Sequence, residues 1–146
     1  MRIRPYQPTD ADALLRLFRR HVPHAFGPEE IADYTRFLQT NADPYFVAEH
    51  DGRVVGACGH YVRTDGQTAR IGWIFTDPDV KELGVGRALV RHNLDAIRQY
   101  PGVRVVECRT SQVAYRFFET FGFQLQHTAP DFWAPGLDLY FMAKTL

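Results

Sequence analysis

The stretch Thr76-Asp77-Pro78-Asp79-Val80-Lys81-Glu82-Leu83-Gly84-Val85-Gly86-Arg87-Ala88 is the most informative in this chain. Asp77-Pro78 breaks an apolar strand, because proline donates no ladder hydrogen bond and restricts the residue before it. Two glycines one residue apart follow, and then a helix with Val85, Ala88, Leu89 and Ile97 on one side. A helix start exposes unpaired N–H groups and partial positive charge, which suits a pyrophosphate. Gly84 and Gly86 remove side chains where backbone must approach an anion, and Lys81 and Arg87 can add direct charge. Alone, a Gly-x-Gly before a helix also fits a tight packing turn. No Gly-Lys-Ser/Thr follows, so this is not a P-loop, and the third glycine of a dinucleotide fingerprint is missing.

Upstream, Arg2 to Tyr6 fits a short strand, and Thr9 stands as N-cap of a helix carrying Leu14, Leu15, Leu17 and Phe18 that ends near His21. Pro28 opens a second helix with Ile31, Tyr34, Phe37 and Leu38 at helical spacing. The period then changes. Tyr45 to His50, Arg53 to Arg63 and Ala69 to Thr76 read as antiparallel strands joined at Asp51-Gly52 and Asp65-Gly66. Ile71, Trp73, Ile74 and Phe75 give the third of these an apolar residue on both faces. Downstream of the glycines a helix runs to about Tyr100, Val103 to Thr110 is a buried strand, and Ser111 caps a helix from Gln112 to Phe121. Gly122 sits where a left-handed residue ends a helix, and Phe123 to Leu125 and Leu137 to Met142 are the last strands. Residues 1–146 read as a single mixed α/β domain with no repeat or linker.

Bulk composition narrows the function. The chain has 146 residues and a formal net charge of zero, with 17 basic and 17 acidic residues. It therefore has no general electrostatic pull toward nucleic acid or an anionic membrane, and neither is expected as a partner. No secretory leader is read at Met1-Arg2-Ile3-Arg4-Pro5, and no stretch approaches the about 18 apolar residues of a membrane span. Cys58 and Cys108 lie in apolar strands and read as buried thiols, so the expected compartment is the cytoplasm.

Two motifs carry a family resemblance. Pro78-x-x-Lys81-x-x-Gly84-x-Gly86-x-x-Leu89 resembles the coenzyme A signature of the GNAT N-acetyltransferase superfamily. Ser111-x-x-Ala114-x-x-Phe117-Phe118-Glu119-x-x-Gly122-Phe123 resembles its second motif, in the right order and at about the right distance. The order of elements also matches that fold. The resemblance implies a mostly antiparallel central sheet of about seven strands flanked by about four helices. It implies acetyl-coenzyme A as co-substrate and no metal. Ile74, Phe75 and Thr76 would pair with the pantetheine arm through their backbone, and the N–H groups from Glu82 through Leu83, Gly84, Val85, Gly86 and Arg87 to Ala88 would hold the pyrophosphate. Ser111, Ala114 and Phe118 complete the expected cofactor contacts, and a slot for the thioester should open between the strand ending at Thr76 and the one holding Cys108. The superfamily often dimerises, so a homodimer is also an expectation.

The sequence departs from the pattern at four positions. Lys81 replaces arginine or glutamine, Glu82 replaces a common glycine, and Ser111 replaces asparagine. Phe118 stands where many members carry the tyrosine thought to protonate the departing thiolate, and it cannot do so. A thiol near pKa 8.5 leaves tolerably near neutrality, and a general acid adds about 10²–10⁴-fold, so transfer would be slowed rather than forbidden. Tyr115 and Tyr140 are substitutes to consider. A general base is also needed, and Glu107, among apolar residues of its strand, is the candidate beside the plainer reading that it pairs with Arg104, Arg109 or another exposed cation. His21-x-x-His24 has no third metal ligand and reads as a solvated loop. Tyr34, Trp133 and Tyr140 are candidates for the substrate pocket, Trp133 from an aromatic loop at 131–136. The implied reaction is direct acetyl transfer to a small-molecule or peptide amine. A noncatalytic acyl-coenzyme A sensor and a cofactor-free partner-binding domain are the other two readings.

Overall fold

The structure, a computed structural model, describes residues 1–146. One sheet holds all seven strands in the order β1-β2-β3-β4-β5-β7-β6. These are β1 Arg2–Pro5, β2 Tyr45–His50, β3 Arg53–Val62, β4 Thr68–Thr76, β5 Val105–Thr110, β6 Gln124–Ala134 and β7 Leu137–Thr145. The helices are α1 Ala11–Arg19, α2 Glu30–Thr40, α3 Val85–Ile97 and α4 Tyr115–Glu119. All neighbouring strands are antiparallel except β4 and β5, whose parallel pairing needs the crossover that α3 supplies.

The sheet separates two cores. On one face α3 buries Val85, Leu89, Val90, Leu94 and Ile97 against Val55, Ala69, Ile71, Val106 and Cys108. Each such aliphatic side chain contributes about 1.5–3 kcal/mol relative to exposure. On the other face α1 and α2 bring Leu14, Phe18, Tyr34 and Leu38 onto Val47, Ala57 and Phe75. Phe18 stacks on Tyr34 at 4.7 Å, so these two helices are joined by an aromatic layer.

β4 changes its facing partway along. Ala69 and Ile71 belong to the α3 core, and strict alternation would send Trp73 and Phe75 there too. Instead Trp73 takes a φ of 52°, the register against β3 shifts between Ala57 and Gly59, and Trp73 and Phe75 join the α1–α2 core. Ile74 packs on the α3 side. This bulge lets one strand present large apolar groups to both layers.

Several boundaries differ from the sequence reading. Thr9 lies inside a short 3-10 turn, Pro8–Asp10, and does not cap α1. Asp10 precedes α1 without capping it through its side chain and closes the 3-10 turn instead, its Oδ2 accepting from the Gln7 N–H at 2.8 Å while Arg4 donates to both carboxylate oxygens at 2.9 Å. Regular helix after Ser111 begins only at Tyr115, because the turn before it bonds back to the Ser111 carbonyl. β6 runs to Ala134, so the expected aromatic loop is the irregular end of a strand, with a register shift between Ala129 and Ala134. Asp131 makes this shift with a φ of 54°, its Oδ1 accepting from the Gly136 N–H at 2.6 Å. No helix is long and apolar enough to cross a membrane.

Candidate active site

Parallel pairing of β4 and β5 stops at Ile71 opposite Cys108, while β4 runs on to Thr76 and β5 to Thr110. The two strands therefore part, as expected. The Asp77 N–H bonds the Val55 carbonyl on β3 at 2.8 Å. The Thr76 carbonyl shares that trans peptide, so it points the opposite way, toward the open edge. A cavity of about 760 Å³ occupies the parting. Ile74, Thr76, Gly86, Cys108, Ser111, Ala114 and Phe118 line it beside α3 and α4. His21, Phe26, Glu30, Phe37, Trp73 and Trp133 line it from the other layer, and Phe75 also reaches it.

The glycine turn sits at one end of this slot. Pro78–Leu83 forms a 3-10 turn, capped by Asp77, whose Oδ1 accepts from the Asp79 N–H at 2.9 Å. Gly84 then takes a φ of 65°, which L side chains rarely adopt, and α3 begins at Val85. The first bond of the α3 ladder is Ala88 N–H to Gly84 carbonyl at 3.0 Å. The amides of Val85, Gly86 and Arg87 precede that ladder and form the unpaired start of the helix, whereas the Ala88 amide, expected to join them, is already engaged. A Cβ on Gly86 would lie 3.3 Å from Phe117 Cζ and 3.6 Å from Thr76 Cγ2, so even a methyl group there would press on the Phe117 ring. Lys81, Glu82, Leu83 and Arg87 are exposed, with Val85 buried in the core. The Glu82 carboxylate thus has water around it, and the Arg87 guanidinium rests 5.5 Å from the Phe121 ring centroid.

The end of α1 is fastened to the same place. Arg20 Nη1 donates to Asp77 Oδ1 at 3.0 Å and to Asp79 Oδ2 at 3.1 Å. The next residue, His21, holds the Thr76 carbonyl at 2.7 Å through Nε2. A carbonyl only accepts, so Nε2 carries the proton, and in the neutral ring Nδ1 keeps a free lone pair. His21 lies in a turn as read, but its side chain is not simply solvated: it lines the cavity. No group of three potential metal ligands exists in the chain.

Other expected residues divide cleanly. Trp133 lines the cavity and donates from Nε1 to the Thr110 carbonyl at 3.0 Å, closing the far end of β5. Ser111 is buried, its Oγ accepting from the Val113 N–H at 3.2 Å. Phe118 is buried at the wall, 5.2 Å from Phe117 and 5.8 Å from Phe123. Tyr34 does not reach the cavity. It is fully buried, and its hydroxyl meets that of Tyr45 at 2.8 Å. Tyr140 is likewise no pocket wall, because its ring packs at 4.7 Å on Tyr115, and neither lines the slot as a substitute acid. Glu107 also lies outside the lining. Its Oε1 accepts from Arg70 Nη2 at 2.9 Å and from Arg63 Nη1 at 3.4 Å, so the pairing reading holds, with cations other than Arg104 and Arg109.

Glu30 is the cavity group that the sequence reading missed. It stands on α2 in line with Tyr34, Phe37 and Asn41, and three of these four line the cavity while Tyr34 lies beneath. A carboxylate in register with an apolar helix stripe was the available signal. Burial outweighs its Gly27 hydrogen bond and pushes the carboxyl pKa up from the ordinary glutamate range. Both cysteines are free, and burial raises their thiols, Cys108 to about 12.

A mixed sheet parted at its parallel pair, with a Gly-x-Gly helix start at the parting, defines the acyl-coenzyme A transferase type of fold. The sequence matches the model of the acetyltransferase (GNAT) family over residues 11–123, and the chain belongs to that family. It is 31% identical over 88 residues to the mycothiol acetyltransferase of Acidimicrobium ferrooxidans, a match over 57% of this chain and only 28% of that protein. The fold is similar to that of ribosomal-protein-alanine N-acetyltransferase from Brucella melitensis, with TM-score 0.79, 24% identity and full coverage of both chains. It is also similar to Ard1 from Thermoplasma volcanium, with TM-score 0.82 and 22% identity over 99% and 97% of the two chains. The putative acetyltransferase yncA from Salmonella typhimurium, solved with acetyl-CoA, gives TM-score 0.79 and 22% identity over 100% and 94%.

Proposed function

We propose that the protein transfers an acetyl group from acetyl-coenzyme A to a primary amine by direct attack in a ternary complex. The observation that carries this reading is the β4 edge at Ile74 to Thr76, released from β5 and open onto a cavity, its Thr76 carbonyl held by His21, and ending at the free amides of α3. The pantetheine arm would lie along that edge as an added strand, with the pyrophosphate on Val85, Gly86 and Arg87. Backbone N–H groups of the same edge would stabilise the oxyanion.

An amine with a lysine-like pKa is protonated at pH 7, and freeing it costs about 4–5 kcal/mol. We assign the proton to His21 Nδ1, the lone pair left by the bond to Thr76. Glu107 serves instead to hold Arg70 and Arg63. The amine lone pair then forms the new C–N bond, the C–S bond breaks, and the second proton of the acylated nitrogen passes through water to the departing thiolate. A covalent route through Cys108 is disfavoured, since its thiol stays protonated near neutrality.

Thermal unfolding with acetyl-coenzyme A and thiol release across a panel of amines test the reading. Stabilisation by the cofactor with amine-dependent thiol release is the expected result, and no stabilisation at saturation would sink it. A second reading, a noncatalytic acyl-coenzyme A sensor, draws on Phe118 and on the absence of Tyr115 and Tyr140 from the slot. It predicts stabilisation with no thiol release for any amine.

A further inference from the structure

Glu30 is only 7% exposed, yet one of its oxygens has no partner in the protein. Oε2 accepts from the Gly27 N–H at 2.8 Å, which accounts for half of the carboxylate as a turn-forming contact. Oε1 makes no hydrogen bond, and no lysine or arginine pairs with it. It is also not sealed away, because the single buried side-chain atom without a partner in this chain is His60 Nε2. Oε1 therefore faces the cavity that Glu30 lines. A charge removed from water without a counterion is costly, and this one is left for something that enters.

The surroundings name the chemistry. Phe26, Phe37 and Trp73 line the same cavity, and Phe37 lies 5.7 Å from Trp73. A carboxylate set among aromatic faces is the environment that binds an organic cation, by ion pairing and by attraction to the ring faces. Trp133 closes the space: a Cβ on Gly27 would come within 2.8 Å of its carbonyl oxygen, so the start of α2 is pressed against the β6 end. We propose that Glu30 is the acceptor-recognition residue, receiving the ammonium group of a cationic amine whose apolar or aromatic body lies against Phe26, Phe37 and Trp73. This deepens the acetyltransferase reading and rests on it for the identity of the cavity as the acceptor site.

Phenethylamine and its neutral analogue phenylethanol are suitable probes, titrated calorimetrically with and without coenzyme A, which completes the slot without supplying an acetyl group. Wild-type protein should bind the amine saturably and the alcohol at least about tenfold more weakly. Glu30→Gln keeps an oxygen for the Gly27 N–H and should fold normally, checked by its melting temperature, while losing the preference for the amine. Equal binding of amine and alcohol, no saturable amine binding, or a preference retained in Glu30→Gln would each overturn the proposal. The coenzyme A titration in the same experiment judges the transferase reading separately, since Glu30 does not contribute to the cofactor turn.

Discussion

At the scale of single residues, two positions decide whether the slot works as a cofactor site. Gly86 has Phe117 and Thr76 at its Cα, so Gly86→Trp should fill the approach to the α3 amides. Acetyl-coenzyme A should then give no thermal stabilisation, and a shift equal to wild type would show that the pyrophosphate lies elsewhere. Phe118→Tyr restores a hydroxyl at the wall of the slot, and acetyl transfer measured by thiol release should be unchanged or faster. A large loss would mean that the packing of Phe118 on Phe117 and Phe123 matters more than the acid. His21→Ala should lower kcat for thiol release strongly, with coenzyme A affinity retained. An unaltered kcat would reassign the base.

At the scale of elements, the ion pair across β4 and β5 separates structure from catalysis. Arg70 and Glu107 side chains are each 16% exposed and meet at 2.9 Å. Glu107→Gln should cost about 1.5–3 kcal/mol in a denaturant melt while leaving the shape of the pH–rate profile intact. A profile shifted by this change would return Glu107 to the role of base. The same pair shows what was legible in sequence. The strand itself was plain from Val105-Val106-Glu107-Cys108, but its charge partners depend on register, and Arg70 stands opposite Glu107 only because β4 and β5 run parallel. The glycine turn and the order of elements were readable because their signals are local. His21 was not, since its partner Thr76 lies 55 residues away and neither residue type announces the bond. Tyr34 shows a finer failure: the right face of α2 was chosen, but depth along that face separates a core tyrosine from a cavity glutamate.

At the scale of the whole molecule, three buried groups set the pH response. His60 is 5% exposed, its Nδ1 2.7 Å from Asn93 Oδ1, and burial pulls its pKa below 6.5 against the effect of Asn93, with His92 lowering it further. The unfolded chain takes up that proton first, so stability is full above pH 6.5 and declines as pH falls toward the folded value. For Asp10 burial acts upward, but Arg4 and the Gln7 N–H outweigh it and hold the pKa below 3.8. Its contribution is present above pH 3.8 and is lost as pH falls through the depressed value. Glu30 has the opposite sign, because its raised pKa lets the folded state bind the proton first, and stability gains as pH falls through that value. Melting temperature against pH should therefore fall below about 6.5, and His60→Gln should flatten that first decline. An identical slope in the variant would remove His60 from the account.

The bulge at Trp73 has a consequence for how the chain tolerates changes in length. Gly72 has open space around its Cα, so Gly72→Ala should be nearly silent. Deleting Gly72 would take out the extra residue of the bulge, so that Trp73 followed Ile71 directly and plain alternation kept Trp73 and Phe75 on the α1–α2 face. In a lineage of such proteins, this strand would accept a changed letter here and a lost one alike.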